Sequence, residues 1–382
     1  MILPRILKAP EQSFFLLGPR GSGKSTWLRA IFPDAHVIDL LSEETYHRML
    51  ASPGLFADQL RAISTGSWVV VDEVQRLPGL LNEVHRFIET KRLRFVLCGS
   101  SARKLKRADV NLLAGRALHR SMHPFVPEEM GANFDLEEAL RFGLMPIIWD
   151  SNEKDEVLSA YARLYLKEEI QAEALVRNLP GFARFLPLAA LFHGQTINVS
   201  NIARESGVAR TTVAGYLSIL EETLLCFRLP AYEAKLRLRE RKLPKWYWCD
   251  PGIVRSMKRV SGSVAPEERG ALFEGMVAQL LRAYKDYRGL CDQMYYWAPS
   301  GRSGSEVDFL LAKGKELVAV EVKSGNTYTE SWCKGLRVVA QLKGLRRRII
   351  VYPRGPVLQT KDGIEVMPLH QFAGLLAADL LW

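Results

Sequence analysis

The segment Gly18–Ser25 constrains the fold of this chain more than any other feature. Its eight residues, GPRGSGKS, fit the pattern GxxxxGK[ST] and stand between the apolar run Phe14–Leu17 and a stretch of helical character. The glycines let backbone N–H groups turn inward around an anion, and a helix N-terminus adds partial positive charge. The segment therefore predicts a strand, a phosphate-binding loop and a helix.

The side chains of this loop predict a site for ATP with Mg²⁺. Lys24 can reach the β- and γ-phosphates, and Ser25 can ligate the metal ion. A Gly-rich turn without a ligand is the alternative, which the full match between a strand and a helix disfavours. The predicted nucleotide-binding residues are Gly18, Pro19, Arg20, Gly21, Ser22, Gly23, Lys24, Ser25 and Thr26.

A second apolar run, Trp68–Val71, leads into two acidic residues, Asp72 and Glu73. Carboxylates at the carboxyl end of a strand beside a phosphate loop can hold Mg²⁺ through water and polarise the attacking water. We assign the metal role to Asp72 and the catalytic role to Glu73. An acidic pair in a solvated turn is the alternative, but the three valines before the pair favour a buried strand and the catalytic interpretation.

A third apolar run, Phe95–Cys98, ends in Gly99, Ser100 and Ser101. Ser100 or Ser101 is a candidate contact of the γ-phosphate or its attacking water. Alternatively, Ser101 is the N-cap of a helix that begins within Ala102–Leu105. The sequence leaves both interpretations open.

Over residues 1–128 such runs alternate with stretches of helical length, of which Leu80–Thr90 is one. This alternation predicts an α/β fold with a parallel sheet covered on both faces. Beyond it, helices are predicted at Leu136–Phe142 and Val157–Ala174. The predicted modules are a P-loop ATPase core at 1–128, a helical lid or connector at 129–190, a winged-helix-like module at 191–260 and a second α/β domain at 261–382.

Composition limits the partners and the compartment. The chain has 382 residues, a formal net charge of +10 and a pI of about 9.3, which admits nucleic acid or an anionic surface as partner without proving either. No apolar run reaches the roughly 18 residues of a membrane-spanning helix. The five cysteines are dispersed without a CxxC pair, which disfavours a disulfide framework and favours a cytoplasmic protein.

The passage Val199–Leu217 has the rhythm of a helix-turn-helix. Ser200 is the predicted N-cap of the first helix, and Gly207 falls at the turn. Arg210–Thr212 would then begin a recognition helix, where side chains that read DNA are placed. The residues of this second helix predicted to face the core are Val213, Tyr216, Leu217 and Leu220.

A basic stretch follows the helix-turn-helix passage. It could contact phosphates as a wing, and its residues are Lys235, Arg237, Arg239, Arg241 and Lys242. A rigid connector with a solvated charged face fits the same pattern. DNA binding by this module is therefore a hypothesis with an equally weighted alternative.

The N-terminal motifs together resemble a bacterial and archaeal family of AAA+ P-loop ATPases, the AAA_14 type. The matching pieces are GPRGSGKST, VVVDEVQRLP, FVLCGSSARKL, LLAGRALHRSMHPF and FGLMP. In that family the arginine of the LAGR element is a phosphate sensor or finger, which implies a catalytic role for Arg116. A guanidinium near the γ-phosphate stabilises transition-state charge. If Arg116 acts across subunits the active form is a homo-oligomer; an ordinary surface arginine is the alternative.

The C-terminal part resembles the DUF4143 region of the same family, through ALFEGMVAQLL, YYWAPSGRSGSEVDFLL and LVAVEVKSG. It also looks like the restriction-endonuclease-like PD-(D/E)xK fold. That resemblance implies a metal pair, Asp308 and Glu321, completed by Lys323 and by Glu274 on the helix that spans Leu272–Tyr284. Two carboxylates can hold Mg²⁺, which activates water, while the lysine steadies the nucleophile.

The spacing of these residues has a physical rationale. Side chains alternate along the predicted strand Leu317–Val322, so Glu321 and Lys323 share one face. A turn near Gly314 would fold this strand against the strand Val307–Leu311 and bring Asp308 towards Glu321. An ion-pair ladder on an exposed sheet is the alternative. Cleavage does not follow from the fold, because such domains also persist as binding modules.

Three functions are compatible with these features. The first is an ATPase that drives conformational change in a DNA-associated machine. The second is an ATP-dependent regulatory switch with slow turnover and an inert, partner-binding nuclease-like region. The third is a DNA-binding adaptor whose ATP site is structural. ATP turnover with and without DNA would separate them.

Overall fold

The computed structural model of the chain describes residues 3–101, 113, 115–164, 178–233, 240–300 and 305–382. The chain divides into two compact units, one made of residues 5–123 with 222–225 and the other of the remaining residues. Three predictions fall outside the described residues. They are the helix start at Ala102–Leu105, the end of the helix Val157–Ala174, and the basic residues Lys235, Arg237 and Arg239.

The first unit is built on a parallel sheet of five strands in the order β2-β3-β4-β1-β5. The strands are β1 (Phe14–Leu17), β2 (His36–Asp39), β3 (Trp68–Asp72), β4 (Arg94–Gly99) and β5 (Leu118–Ser121). The helices are α1 (Lys24–Ile31), α2 (Glu43–Ala51), α3 (Gly54–Ala62) and α4 (Leu80–Lys91). The predicted α/β fold with a parallel sheet is confirmed, and it is consistent with a P-loop NTPase.

The central strands of this sheet are buried because their side chains are apolar on both faces. Phe15 of β1, Val71 of β3 and Leu97 of β4 belong to one core with Phe56 of α3 and Val84 of α4. Each fully buried side chain of this kind contributes about 1.5–3 kcal/mol of transfer free energy. The core fixes the carboxyl ends of β1, β3 and β4, where the polar motifs follow.

The second unit begins with helices and a small antiparallel sheet in the order β6-β8-β7. Its helices are α5 (Pro127–Met130), α6 (Leu136–Phe142), α7 (Pro146–Trp149), α8 (Lys154–Leu164), α9 (Leu179–Leu191), α10 (Val199–Ser206), α11 (Arg210–Glu222) and α12 (Pro251–Met257). Its strands are β6 (Gln195–Thr196), β7 (Cys226–Leu229) and β8 (Lys245–Trp248).

Helices α10 and α11 correspond to the predicted helix-turn-helix passage. The predicted cap Ser200 is wrong, because the side chain of Asn198 accepts the capping hydrogen bond from the Asn201 N–H at 3.1 Å. Gly207 ends α10 with a φ of 64°, a conformation that glycine adopts without steric cost. The four apolar residues predicted to face the core of α11 are buried.

The unit ends with a long helix and a six-stranded mixed sheet in the order β13-β14-β12-β11-β10-β9. The helices are α13 (Pro266–Arg288), α14 (Lys334–Val338) and α15 (Leu369–Ala377), and the strands are β9 (Gln293–Trp297), β10 (Val307–Lys313), β11 (Glu316–Val322), β12 (Leu345–Tyr352), β13 (Leu358–Gln359) and β14 (Glu365–Pro368). The predicted antiparallel pairing of β10 with β11 is confirmed, with Gly314 in the turn at a φ of 58°. Across the described ranges, no helix has the length and apolar character needed to cross a membrane.

Candidate functional site

The loop between β1 and α1 depends on glycine at three positions. Gly21 and Gly23 have φ angles of 76° and 89°, which side chains other than glycine rarely adopt. At Gly18, a Cβ atom would lie 2.4 Å from the backbone oxygen of Met122. The chain therefore forms a tight loop whose backbone can approach a ligand closely, as the motif predicts.

Lys24 and Ser22 lie inside this loop. The Lys24 ammonium donates to the carbonyl oxygens of Gly18 at 2.8 Å and Pro19 at 3.1 Å, and the residue is only 7% exposed. The Ser22 hydroxyl is buried and has no hydrogen-bond partner among the described residues. The first turn of α1 contains no acidic residue that would repel an anion. This combination fits a phosphate, because it offers a cation and an unused hydroxyl beside a helix N-terminus.

Ser25 contacts the first of the two acidic residues at the end of β3. Its hydroxyl donates to Oδ2 of Asp72 at 2.9 Å, and the other carboxylate oxygen accepts from the Glu73 N–H at 3.0 Å. A hydroxyl and a carboxylate brought together at the edge of a phosphate loop are oxygen ligands of the kind Mg²⁺ prefers. These two side chains therefore fit the predicted metal role.

Glu73 is held in place by two polar side chains. Its backbone adopts a φ of 54°, and its carboxylate accepts hydrogen bonds from the Gln75 amide and, at 3.4 Å, from the Ser100 hydroxyl. The Gln75 amide also donates to the Ser100 hydroxyl at 3.3 Å. Burial raises the pKa of Glu73 above its ordinary value, and the nearby Lys24 ammonium opposes this rise. These hydrogen bonds position the carboxylate, and its raised pKa would suit a proton acceptor that works nearer neutral pH.

Gln75 was not among the residues predicted for the site. It is buried against Gly99, where a Cβ atom would lie 2.3 Å from its side-chain oxygen. A glutamine two residues after the acidic pair is a weak sequence signal. Its contact with Glu73 depends on the left-handed backbone at Glu73, which the sequence did not indicate. Of the two candidate serines, Ser100 donates a hydrogen bond to Glu73.

Arg116 lies at the amino-terminal end of the parallel strands, whereas the phosphate loop of the same chain lies at their carboxyl end. Strands β5 and β1 are parallel with Leu118 opposite Phe14, so Arg116 precedes the start of β5 whereas the loop follows the end of β1. A strand of four residues separates these two ends of the sheet by about 13 Å, at roughly 3.3 Å per residue. Arg116 is 41% exposed and pairs with Glu89 of α4. The fold therefore does not bring Arg116 to the phosphate loop of the same chain.

The remaining loop residues differ in exposure. Arg20 and Thr26 are exposed to solvent, whereas Pro19 is buried.

In the second unit, two of the carboxylates predicted to bind metal, Glu274 and Asp308, lie with Glu306 around a lysine. The Lys245 ammonium of β8 lies 3.0 Å from Oε1 of Glu274, 3.3 Å from Oε1 of Glu306 and 3.3 Å from Oδ1 of Asp308. The lysine side chain is 3% exposed. Burial disfavours its charge, but the surrounding carboxylates outweigh burial and hold the pKa of Lys245 well above its ordinary value.

Further donors contact the carboxylates of this cluster. Tyr247 donates to Oε1 of Glu274 at 2.5 Å, and the Val322 N–H donates to Oδ2 of Asp308 at 2.9 Å. Lys323 donates to Oε1 of Glu321 at 2.5 Å. Burial, followed by the charge of Asp308, raises the pKa of Glu321 well above its usual range. Within the described ranges, no group of three or more His, Cys, Asp or Glu is arranged to hold a metal ion.

The predicted metal residues in the second unit therefore do not fit a divalent cation in this arrangement. Glu274, Asp308 and Glu321 lie together, as the spacing predicted, but an ammonium group lies among them. Sequence reasoning missed Lys245, whose signal was a single charged residue at the start of the aromatic strand Lys245–Trp248.

Family models match three successive parts of the chain. Residues 10–131 match an AAA domain (AAA_14), residues 133–263 match a domain of unknown function, DUF8612, and residues 269–372 match a domain of unknown function, DUF4143. The chain contains an AAA_14-type domain followed by a C-terminal DUF4143 region. Its predicted resemblance to this ATPase type is confirmed.

Similar proteins extend over most of this AAA_14-type chain. Two uncharacterized mycobacterial proteins, Rv2008c of Mycobacterium tuberculosis and Mb2031c of Mycobacterium bovis, are each 26% identical over 364 residues, which cover 93% of this chain and 80% of theirs. Their names carry no function.

Solved structures are more distant. A signal transduction ATPase with a tetratricopeptide repeat sensor from Pyrococcus horikoshii is 14% identical with a TM-score of 0.25, and the match covers 74% of this chain and 48% of that one. A Vibrio cholerae protein, VC1899, is 12% identical with a TM-score of 0.25, and 97% of each chain is covered. Scores this low support no argument about the function of this chain.

Proposed function

We propose that the first unit binds ATP with Mg²⁺ and hydrolyses it, and that nucleotide state controls a DNA-associated C-terminal region. The observation that carries the ATPase proposal is the joint arrangement at the ends of β1 and β3. There the Ser25 hydroxyl meets Asp72, and Glu73 is oriented by Gln75 and Ser100. A phosphate loop alone binds nucleotide, whereas an oriented carboxylate beside it provides the acceptor for a proton from water.

Each residue has a separate part in this proposal. Lys24 leaves the two carbonyl oxygens it now contacts and neutralises phosphate charge. Ser25 and Asp72 hold the metal ion, which when bound withdraws charge from the phosphate oxygens. Glu73 orients the attacking water and accepts its proton. The raised pKa of Glu73 favours proton uptake from water relative to an ordinary surface carboxylate.

The proposal includes a homo-oligomer. Arg116 is too far along the sheet to reach the loop of its own chain, so a finger role requires the loop of a second copy. Its partial exposure and its position outside the core leave the guanidinium accessible to such a copy. Pairing with Glu89 would then be exchanged for pairing with phosphate.

For the remaining parts we propose a helical connector at 129–190, a winged-helix-like module at 191–260 and a nuclease-like domain at 261–382. Helices α10 and α11 with the sheet β6-β8-β7 support the second assignment. Arg210 and Thr211 are exposed at the start of α11, where a recognition helix presents its side chains. The formal net charge of +10 favours an anionic partner such as DNA.

A second candidate function, a switch with slow turnover, is favoured by the state of Glu73. Its carboxylate is already occupied by two hydrogen-bond donors in this arrangement. Both donors contact the same oxygen, Oε2, and a base with an engaged oxygen has less freedom to take a proton. ATP binding without rapid hydrolysis is therefore compatible with the same site.

Phosphate release tests the ATPase proposal and separates it from the switch. We expect turnover by the wild-type chain, and its loss in Lys24→Ala and in Glu73→Gln. Glu73→Gln should retain Mg-ATP binding by calorimetry, whereas Lys24→Ala should weaken it. Lys8→Ala, an exposed lysine outside the loop, is the matched control. Tight ATP binding with no turnover above Glu73→Gln would favour the switch, and absence of Mg-ATP binding would refute both functions.

DNA association is tested by binding to short duplex and single strands over a series of salt concentrations. Phosphate contacts predict that the logarithm of the binding constant falls linearly with the logarithm of salt concentration. Arg210→Ala should weaken binding, with Arg204→Ala on the preceding helix as control. Binding that does not respond to salt would contradict the proposal.

A further inference from the structure

Lys245 occupies an unusual position for a lysine, since charged side chains are rarely buried without partners. An ammonium group has three hydrogen atoms to donate. Its three neighbours at 3.0–3.3 Å are the carboxylates of Glu274, Glu306 and Asp308. All three hydrogen atoms of the ammonium group therefore have a carboxylate acceptor. These carboxylates form the cluster in which a nuclease of the proposed fold would bind its metal ion.

Several oxygen atoms of the cluster are also engaged. Asp308 uses one oxygen for Lys245 and the other for the Val322 N–H, and Glu274 accepts from both Lys245 and Tyr247 through Oε1. Glu321 has one oxygen on Lys323. Its other oxygen, Oε2, is buried with no hydrogen-bond partner among the described residues. A divalent ion placed here would have to share the contacted oxygens with the donors that they already accept from.

An ammonium group and a divalent cation compete for the same carboxylates, and two cations within a buried cluster repel each other. Binding of a divalent ion would require Lys245 to leave. Its strand, β8, is hydrogen-bonded on both sides by β6 and β7, and Trp246–Trp248 are buried beside it. The strand that carries the lysine is thus fixed by its own sheet.

We propose that Lys245 is a built-in cation that closes the C-terminal carboxylate cluster to divalent metal, so that this region of the chain does not cut phosphodiester bonds by a metal-dependent reaction. The cluster thereby joins β8 of the small sheet to α13 and β10 of the C-terminal domain through charge. The proposed nuclease-like domain is then non-catalytic, whether or not the first unit hydrolyses ATP.

Binding of Mn²⁺ to the nucleotide-free full chain tests the proposal directly. A Ser25→Ala background removes one of the two proposed metal ligands beside the phosphate loop, and Mn²⁺ still held there by Asp72 would not respond to Asp308→Asn. Electron paramagnetic resonance of free Mn²⁺ should show no stoichiometric site in this background, and adding Asp308→Asn should change nothing. A stoichiometric Mn²⁺ that Asp308→Asn removes would overturn the proposal. This arm needs no change at Lys245.

The second arm replaces the built-in cation. Lys245→Met keeps the length of the side chain and removes its charge, leaving buried carboxylates without a counter-ion. We expect its melting temperature to fall by about 5–10 °C, and Mn²⁺ to restore part of this loss by binding in place of the ammonium group. Lys242→Met, an exposed lysine three residues earlier, is the matched control and should show neither effect.

The outcomes of this arm are distinct from those of the ATPase experiments. A Lys245→Met chain that is as stable as the control and gains no Mn²⁺ site would overturn the role of the lysine as counter-ion. Loss of ATP turnover in Lys24→Ala carries no information on this cluster, and the Mn²⁺ results carry none on turnover. If Lys245→Met does not fold, the Ser25→Ala titration still decides between a closed and an open site.

Discussion

Lys24 and Lys245 are both buried lysines, but their ammonium groups are held by different kinds of partner. Lys24 donates to two backbone carbonyl oxygens, which are neutral, whereas Lys245 donates to three carboxylates. Exchange of these hydrogen bonds to neutral oxygens for a phosphate contact costs little, because the ammonium group stays hydrogen-bonded. Removal of a buried counter-ion leaves uncompensated charge. One lysine is therefore available to a ligand, and the other is part of the fold.

The largest expected effect compares the same substitution at the two lysines. Lys245→Met should lower the free energy of unfolding of its unit by about 3–5 kcal/mol, because it leaves buried carboxylates without a cation. Lys24→Met should lower that of the first unit by no more than about 1.5 kcal/mol. Urea denaturation without nucleotide, followed with probes in each unit, measures both. Equal losses would remove the distinction between the two lysines.

The next effect concerns the part of the nucleotide site that a single copy lacks. Arg116→Ala should reduce ATP turnover by about 10²–10³-fold, the range for removing one transition-state donor. Because the arginine is proposed to act on a second copy, mixing Arg116→Ala with Lys24→Ala should restore part of the activity. Each mixed pair would then contain one intact loop facing one intact arginine.

The matched control for this test is Arg94→Ala. Arg94 is the first residue of β4, at the same amino-terminal end of the strands as Arg116. Its guanidinium lies 4.7 Å from the Trp68 ring centroid. Turnover in Arg94→Ala should stay close to that of the wild type. An Arg116→Ala chain with wild-type turnover at all protein concentrations would identify Arg116 as an ordinary surface residue.

The difference between the two lysines also shows what could be predicted from sequence. The phosphate loop was predicted in full because its geometry is local. Glycines at fixed spacing specify the positive φ angles, and the strand and helix on either side are contiguous in the chain. Lys24 lies within this segment, so its role follows from its position in the motif.

The environment of Lys245 could not be predicted in the same way. Its partners Glu274, Glu306 and Asp308 are 29, 61 and 63 residues away and belong to different elements. Sequence reasoning found the carboxylates through their resemblance to a metal site, yet it had no means of placing a strand from the small sheet beside them. The aromatic residues after Lys245 indicated a buried strand, and a charged residue at its start was the available signal.

Asp250 is a buried carboxylate that accepts hydrogen bonds from backbone N–H groups. Its oxygens accept from the N–H groups of Ile253 at 3.1 Å and Leu144 at 2.6 Å. Burial raises the pKa of Asp250 from 3.8 to about 6, although these donors oppose the rise.

The sign of the pH effect follows from this shift. Because the pKa is raised on folding, the contribution of Asp250 to stability is fully present below about pH 4 and is lost as the pH rises through about 6. The loss amounts to about 2–3 kcal/mol at 1.36 kcal/mol per pKa unit. The difference in unfolding free energy between wild type and Asp250→Asn, measured from pH 4 to 7, should fall over this window. A flat or rising difference would contradict the assignment.

The smallest effect tests whether the nucleotide site depends on neutral donors, as the contacts of Gln75 indicate. Gln75→Leu should lower kcat by about tenfold, equivalent to one hydrogen bond of about 1.4 kcal/mol, and leave KM nearly unchanged. The Gln75 amide lowers the pKa of Glu73, so its removal should move the acidic limb of the kcat profile to higher pH. Ser100→Ala, which removes a longer contact of 3.4 Å, should give the same changes at smaller size. A rise in KM with unchanged kcat would show instead that Gln75 supports nucleotide binding and does not position Glu73.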